Sequence, residues 1–411
     1  MDLLLVLSKF IYLLSATLTV GFLIAIVFFA QNQNGLIRNT HLTLRNKVAA
    51  VAWIWAGSSS IFILATLASI LNVGIGAALD FTMLRSFVTQ ISLGKFLAIQ
   101  TVGALIIALL ITKINRITYA ALILMVSLAA LAAPIFQSHS ASGGSHLVAI
   151  GTLIVHVIAI SMWVGGLLAI LFSKELNKNL ALQRFSQLAF WAALAVVSSG
   201  VINAWIRMNF SGAWQGAYAI LISEKILLTL LLLILAAFAR KRLAGNINKL
   251  IAIEGAVMVL TLFIGTLLSQ SKPPTKPGIV DPIESLVGLR YPGTPTLQKF
   301  IFDYQPDALT LALLILAALL YLKGIRIMRK RGDKWPIGRS LSFFSGILVI
   351  NYAINGAIGV YAHFGFSYHM IEHMILGMIA PIFIVLELQL PWRLELCHLE
   401  EMKRKRVREI Y

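Results

Sequence analysis

The stretch YHMIEHMILGM, Tyr368 to Met378, places two histidines, a glutamate and three methionines inside a run apolar enough to enter a bilayer. Ionisable groups are costly there, so their presence asks for a role. On a helix with about 100° per residue, His369, Met370, His373, Met374, Gly377 and Met378 fall on one half of the circumference. Ile371, Ile375 and Ile379 fall on the other half. The isoleucine stripe suits lipid, and the His/Met/Gly stripe is expected to face protein or a water-filled path. His369 and His373, at i and i+4, can share one ion. Imidazole with thioether is a soft ligand set. It suits copper, as Cu(I) in preference to Cu(II), better than magnesium or calcium. The alternative is packing, with methionines filling a helix interface and the histidines hydrogen-bonded across it. Glu372 lies off the stripe, as an interfacial group or one that supports a ligand.

A second constellation runs from His139 to Leu167, HSASGGSHLVAIGTLIVHVIAISMWVGGL. His139 and His146 sit in a polar loop. His156 lies deeper in the following apolar run and shares a face with Trp163, seven residues on. Gly165 and Gly166 allow another helix to approach closely. The two loop histidines above His156 form a candidate staircase for an ion, and His363 is a further candidate metal ligand. The alternative for His156 is a hydrogen-bonded interior side chain below a wet loop. Weaker signals are Asn351, Asn355 and Gly359 on one face, and Ser199 with Asn203 on another. Interhelical hydrogen bonding suits both sets. Lys225 adjoins Glu224, but helix neighbours point apart, so Lys225 is expected to snorkel rather than pair. Glu254 reads as interfacial.

These residues need apolar helices to carry them, and the composition supplies helices. The chain has 411 residues, 59% hydrophobic and 12% charged. A soluble chain of this length needs far more polar surface, so the class is an all-α polytopic membrane helix bundle. Eleven apolar runs reach spanning length, at about 3–30, 48–71, 94–112, 117–136, 147–172, 186–206, 219–239, 249–269, 308–328, 341–362 and 367–386. They are too long and continuous for barrel strands. The first lacks a basic leading region and carries Asp2, so it reads as a retained span rather than a signal peptide. Net charge is +18. Because the Lys and Arg fall between spans, topology explains them and nucleic acid is excluded as a partner. About 25 of the 34 Lys and Arg fall in alternate loops and the tail, which puts the N-terminus out and the C-terminus in. His139, His146, His363, His369 and His373 are then on the outer side, and His156 is near the midplane. The single cysteine, Cys397, allows no internal disulfide, and neither it nor His398 is counted as a ligand. No P-loop, nucleophile elbow, HExxH motif or carboxylate pair is present, which argues against an enzyme.

The segments HVIAISMWVGGL, RFSQLAFWAALAVVSSGVINAW, YAILISEKILLTL and LLSQSKPP resemble the CopD family of copper resistance membrane proteins. Tyr218, Ala219 and Lys225 stand at that family's YG…K pattern, with alanine for the glycine. Further on, RGDKWPIGR and the NYAINGAIGVYAHFGFSYHMIEHMILGMIAP stretch resemble CtaG, a cytochrome c oxidase assembly factor. The order is similar to bacterial fusions of the two. The resulting divisions are a four-helix membrane region at 1–136 and a CopD-like membrane domain at 137–272. A Pro-rich outer linker at 273–307 and a partial CtaG-like membrane domain at 308–386 follow. The charged tail at 387–411, ELQLPWRLELCHLEEMKRKRVREIY, differs from the family's APxxLxLGxP continuation. It reads as a short cytoplasmic helix or as a truncated or frameshifted end.

The resemblance implies copper transport and homeostasis in a bacterial cytoplasmic membrane, with delivery toward oxidase assembly. It implies an extracytoplasmic copper chaperone and oxidase subunits as partners. His156 and Trp163 belong to the first half's motif, and His369 and His373 to the second's. Two alternatives stand beside it. One is a haem-binding electron carrier using His156 and His373 as axial ligands. The other is a scaffold for oxidase assembly that holds no metal.

Overall fold

The computed structural model describes residues 2–30, 35–37, 42–137, 146–208, 216–241, 247–271, 283, 291–332 and 335–385. His139, most of the linker and the tail at 387–411 lie outside the described residues, as does the side chain of His146. The described chain is an all-helical polytopic bundle, with no strand among the described residues. It has 11 helices long and apolar enough to cross a membrane, which makes it a multi-pass membrane protein.

The helices are α1 (Asp2–Ile24, extended by a π turn to Phe29), α2 (Leu42–Leu71), α3 (Ile75–Ala78), α4 (Phe81–Gln90) and α5 (Ser92–Leu110). They continue as α6 (Ile117–Ala132), α7 (His146–Phe172), α8 (Lys178–Met208), α9 (Ala217–Lys241) and α10 (Ile247–Gln270). The last five are α11 (Leu297–Phe302), α12 (Ala308–Lys330), α13 (Ile337–Asn355), α14 (Ala357–Ala362) and α15 (Phe366–Met374, with a π turn over Ile375–Ile379). Most expected spans shift by only a few residues at either end. Two differ more: the sixth starts at Lys178 instead of 186, and the tenth starts at Ile337, behind an N-cap at Pro336, and stops at Asn355 instead of 362. Gly356 is the reason. A Cβ there would lie 2.6 Å from the Tyr352 carbonyl oxygen, so only glycine lets the chain turn there before α14 starts.

The chain divides into two compact units. The first comprises Met1–Gly143 and Thr152–Gly278. Its helices cannot use the hydrophobic effect against one another in lipid, so close packing and polar contacts must hold them. Gly21 of α1 and Gly165 of α7 supply the close packing. A Cβ on Gly165 would stand 2.2 Å from the Thr17 carbonyl oxygen, and one on Gly21 would meet the Gly165 carbonyl. One turn away, the hydroxyls of Thr17 and Ser161 are 3.5 Å apart.

At one end of this unit, basic side chains close helix C-termini, where orphan carbonyls await donors. Arg184 donates to the Phe28 carbonyl at 2.8 Å, ending α1. Lys47 donates to the Phe172 carbonyl at 2.9 Å and pairs with Glu175 at 3.0 Å, ending α7. The start of α1, the end of α8 and the start of α9 therefore lie at the opposite end.

The second unit comprises Gly144–Gly151 and Ile279–Tyr411. Here Asn351 and Asn355 organise a loop rather than a helix pair. Asn355, fully buried, accepts from the Asp307 backbone N–H and donates to Asn351 Oδ1 at 3.0 Å. Asn351 Oδ1 also accepts from the Tyr304 hydroxyl at 3.1 Å. The interhelical bonding expected of these asparagines thus becomes anchorage of the 303–307 segment. Above it, the rings of Phe300, Tyr361 and Tyr368 pack with centroids 5.5–5.8 Å apart. They hold α11, α14 and the first turn of α15 together and so set where the histidines of α15 stand.

Candidate functional site

Helix α15 starts after Gly365, in extended backbone, and carries His369 and His373 one turn apart. The helical spacing brings their Nε2 atoms to 3.0 Å, with ring centroids 4.4 Å apart and planes at 84°. Glu372 stands one turn from His369, its carboxylate 3.8 Å from Nδ1. A carboxylate on that side favours a proton on His369 Nδ1, which leaves the His369 Nε2 lone pair to accept from His373 Nε2–H. Glu372 stands off the stripe and beside His369, at a distance longer than a hydrogen bond.

Two metal–nitrogen bonds of about 2.0 Å span roughly 3.3–4.0 Å between the nitrogens, from tetrahedral to linear geometry. The pair needs to part by only a few tenths of an ångström to 1 Å, and both rings are exposed and free to do so. The dyad therefore fits a two-nitrogen cation site with its carboxylate already in place.

The methionines behave differently from the expectation. Met370 is 45% exposed and Ile371, on the opposite stripe, 46%. Met374, Met378 and Ile379 are also exposed. Burial in this unit does not separate a protein-facing stripe from a lipid-facing one, because α15 has neighbours over little of its circumference. Met370 and Met374 remain within one turn of the dyad along the helix. His363, at the C-cap of α14, donates Nδ1–H to the Gly359 carbonyl at 2.7 Å and is exposed. Its Nε2 lone pair is thereby left available. Among the described residues no group of three or more His, Cys, Asp or Glu is arranged so that all could hold one metal ion.

His156, in the first unit, is 7% exposed and fully engaged. Nδ1 lies 2.9 Å from Ser199 Oγ and 3.1 Å from the Val196 carbonyl. The Ser199 hydroxyl donates to backbone carbonyls of its own helix, so the His156 proton must be on Nδ1. Nε2 is then an acceptor, and Lys225 Nζ stands 3.3 Å from it. With both nitrogens used, His156 offers no lone pair to copper or to haem iron in this arrangement. The expectation for Lys225 is corrected here: it does not snorkel but turns inward to the imidazole 69 positions earlier in the chain. A buried acceptor repays that turn better than a distant interface does. Gly200 makes room, since a Cβ there would be 3.3 Å from His156 Cε1. Ser199, read as an interhelical bonding group, has that role. Trp163 is buried, and its Nε1 has no hydrogen-bond partner among the described residues.

The reading of the residues missed Arg207 and Lys9 altogether. Arg207 Nη1 is 3.4 Å from the Tyr218 hydroxyl, and Lys9 Nζ lies 5.8 Å from the centre of the Phe62 ring. The available signal was their place, since each is a lone cation at an end of an apolar run.

Three family models match this chain. Copper resistance protein D-like, N-terminal domain, matches residues 1–148. Copper resistance protein D matches 179–268. Cytochrome c oxidase caa3 assembly factor matches 319–410, a range that takes in the tail expected to diverge. The chain is similar to an uncharacterized protein of Mycobacterium bovis, 23% identical over 380 residues, covering 91% of this chain and 56% of that one. An uncharacterized protein of Mycobacterium tuberculosis gives the same figures, 23% over 380 residues. One of Mycobacterium leprae is 30% identical over 100 residues, 24% of this chain and 15% of that one. The chain spans about half the length of the curated relatives it matches, 56% for the first two. No solved structure matches it.

Proposed function

We propose that this chain, a fusion of copper resistance protein D and caa3 assembly factor families, takes up Cu(I) at His369 and His373 and hands it on toward cytochrome c oxidase assembly. The observation that carries this reading is the pair of imidazole Nε2 atoms 3.0 Å apart with a carboxylate behind one of them. Two softening features support it, the thioethers of Met370 and Met374 one position along from each histidine. The family matches support a copper-related membrane role of a non-enzymatic kind.

The bias of Lys and Arg between loops supports an orientation with the N-terminus out and the C-terminus in, in a bacterial cytoplasmic membrane. The dyad then opens on the extracytoplasmic side, where an extracytoplasmic copper chaperone and oxidase subunits can reach it. His363 and His146 belong to the same outer surface in this reading, and His156 is a structural residue of the first unit. Entry of the metal uses both Nε2 lone pairs, so the His373 proton moves from Nε2 to Nδ1 with no net release. Acid that protonates either ring competes with the metal, so loading weakens in acid.

The test is Cu(I) titration of the purified full chain against a chelator of known affinity. One site per chain is expected, weakened at least about 100-fold in the His369→Ala/His373→Ala double variant. Equal affinity in the double variant and the parent would remove the site.

A further inference from the structure

In the second unit, helix α13 starts at Ile337 behind Pro336 and runs for 19 residues. The helix itself gives the N–H groups of its first turn no acceptor. This end is open: Ile337 is 73% exposed, and a Cβ on Gly338 would meet nothing within 4 Å. The next residue, Arg339, is only 7% exposed, and its Nε and Nη2 are buried with no hydrogen-bond partner among the described residues. Its guanidinium carbon lies 5.0 Å from the centre of the Trp335 ring. Trp335 precedes the first turn, so the guanidinium lies at the N-terminal end of the helix. Trp335 is held in its turn. Its Nε1 donates to the Tyr321 hydroxyl of α12 at 3.1 Å, and the Tyr321 ring stacks on Phe343 of α13 with centroids 3.9 Å apart.

A buried charge whose donors face no acceptor is costly, and only an acceptor removes that cost. Nε–H and Nη2–H lie along one edge of the guanidinium and form a fork that grips two oxygens of one carboxylate or phosphate. Trp335 meets the guanidinium with its ring and takes neither of these N–H groups, so the fork can turn to an arriving anion. The helix N-terminus favours negative charge in the same place. Among the described residues no carboxylate lies within ion-pair distance of Arg339. Asp333 is outside the described residues.

We propose that the first turn of α13 and the Arg339 fork form a binding site for a phosphate oxyanion. One phosphate has enough acceptor oxygens to meet both guanidinium N–H groups and the backbone N–H groups of Ile337 and Gly338. Two sources share that chemistry, an anionic phospholipid and free inorganic phosphate. Ile337 and Leu341 are exposed one turn apart on a spanning helix, so a lipid has acyl contacts to make beside the site. The bias of Lys and Arg supports a cytoplasmic place for this end, the leaflet in which anionic headgroups attract basic groups.

Native mass spectrometry of the full chain, titrated separately with phosphatidylglycerol, phosphatidylcholine and inorganic phosphate, tests this. Phosphatidylglycerol is expected to be retained about fivefold or more over phosphatidylcholine, and Arg339→Gln to remove that preference. Arg339→Lys, which keeps the charge but not the fork, should recover only part of it. Ile337→Pro removes one N–H at the helix position that tolerates proline best, and should lower retention about twofold without loss of folded protein. Displacement of phosphatidylglycerol by millimolar inorganic phosphate assigns the site to the free ion, and resistance to displacement assigns it to the lipid. Equal retention of the two lipids with no phosphate bound overturns the proposal, and so does unchanged retention in Arg339→Gln or in Ile337→Pro. A drop in thermal midpoint for Asp333→Asn equal to that for Arg339→Gln also overturns it, since the fork would then belong to an internal ion pair. The comparison of lipids on the unaltered chain requires no variant to fold.

Discussion

His156 in the first unit is 7% exposed, and serine, a backbone carbonyl and a lysine engage both its ring nitrogens. His369 and His373 in the second unit are exposed and bond to each other. The difference follows the packing of the helices that carry them. In the apolar spanning stretch of α1 67% of residues are buried, and the same holds for α7, whereas for α12 and for the span starting with α15 the figure is 6%. A histidine within a dense crossing is surrounded by fixed partners and becomes a structural bond. A histidine on a sparsely covered helix keeps its lone pair for whatever arrives. The same side chain therefore reads as a candidate ligand in both places from its neighbours in sequence, and only its neighbours in space separate the two uses.

Glycine substitution tests the packing contrast most severely. Gly165→Leu forces a side chain into the backbone of α1 and is expected to cost about 3 kcal/mol or more, seen as loss of folded protein in detergent. Gly377→Leu, where nothing lies within 4 Å of an added Cβ, should stay within roughly 0.5 kcal/mol. Similar losses at both positions would erase the distinction between the units.

Copper affinity comes next in size. The His369→Ala/His373→Ala pair should weaken Cu(I) binding by at least about 100-fold, and His156→Ala should leave its stoichiometry and affinity unchanged. A copper defect in His156→Ala equal to that of the double variant would break the comparison outright.

His156→Phe should instead act on stability. It removes the acceptor facing Lys225 and leaves Ser199 and Val196 without their donor, a cost of about 1–3 kcal/mol measurable as a lower thermal midpoint. The smallest effect belongs to Glu372→Gln. It keeps the shape but removes the charge beside His369 Nδ1, and a roughly tenfold loss of copper affinity with unaltered stoichiometry is expected. No change there would mean that the carboxylate, at 3.8 Å, does not support the ligand.

Parts of this arrangement were legible in the residues. His369 and His373 meet because a helix turn brings i and i+4 together, a purely local rule. The close approach at Gly165 was legible in the same way, as a small residue in an apolar run, although its partner Gly21 was not. Lys225 was misjudged for the opposite reason. The interface is the default destination of a membrane lysine, and the acceptor that draws it inward is on another helix. The stripe of methionines on α15 was also over-read, since periodicity shows which residues share a face and not whether that face is covered.

The sequence by itself determined that this chain is a multi-pass helical membrane protein, with 11 helices of spanning length among the described residues, because length and apolarity act on each segment alone when water is absent. It determined the His369–His373 pair for the same reason, one helix sufficing to make it. Tertiary structure alone decided that His156 is bound on both nitrogens, by Ser199 and the Val196 carbonyl on one side and Lys225 on the other. Those contacts join helices far apart in the chain, and which helix faces which depends on packing that leaves no period in the sequence.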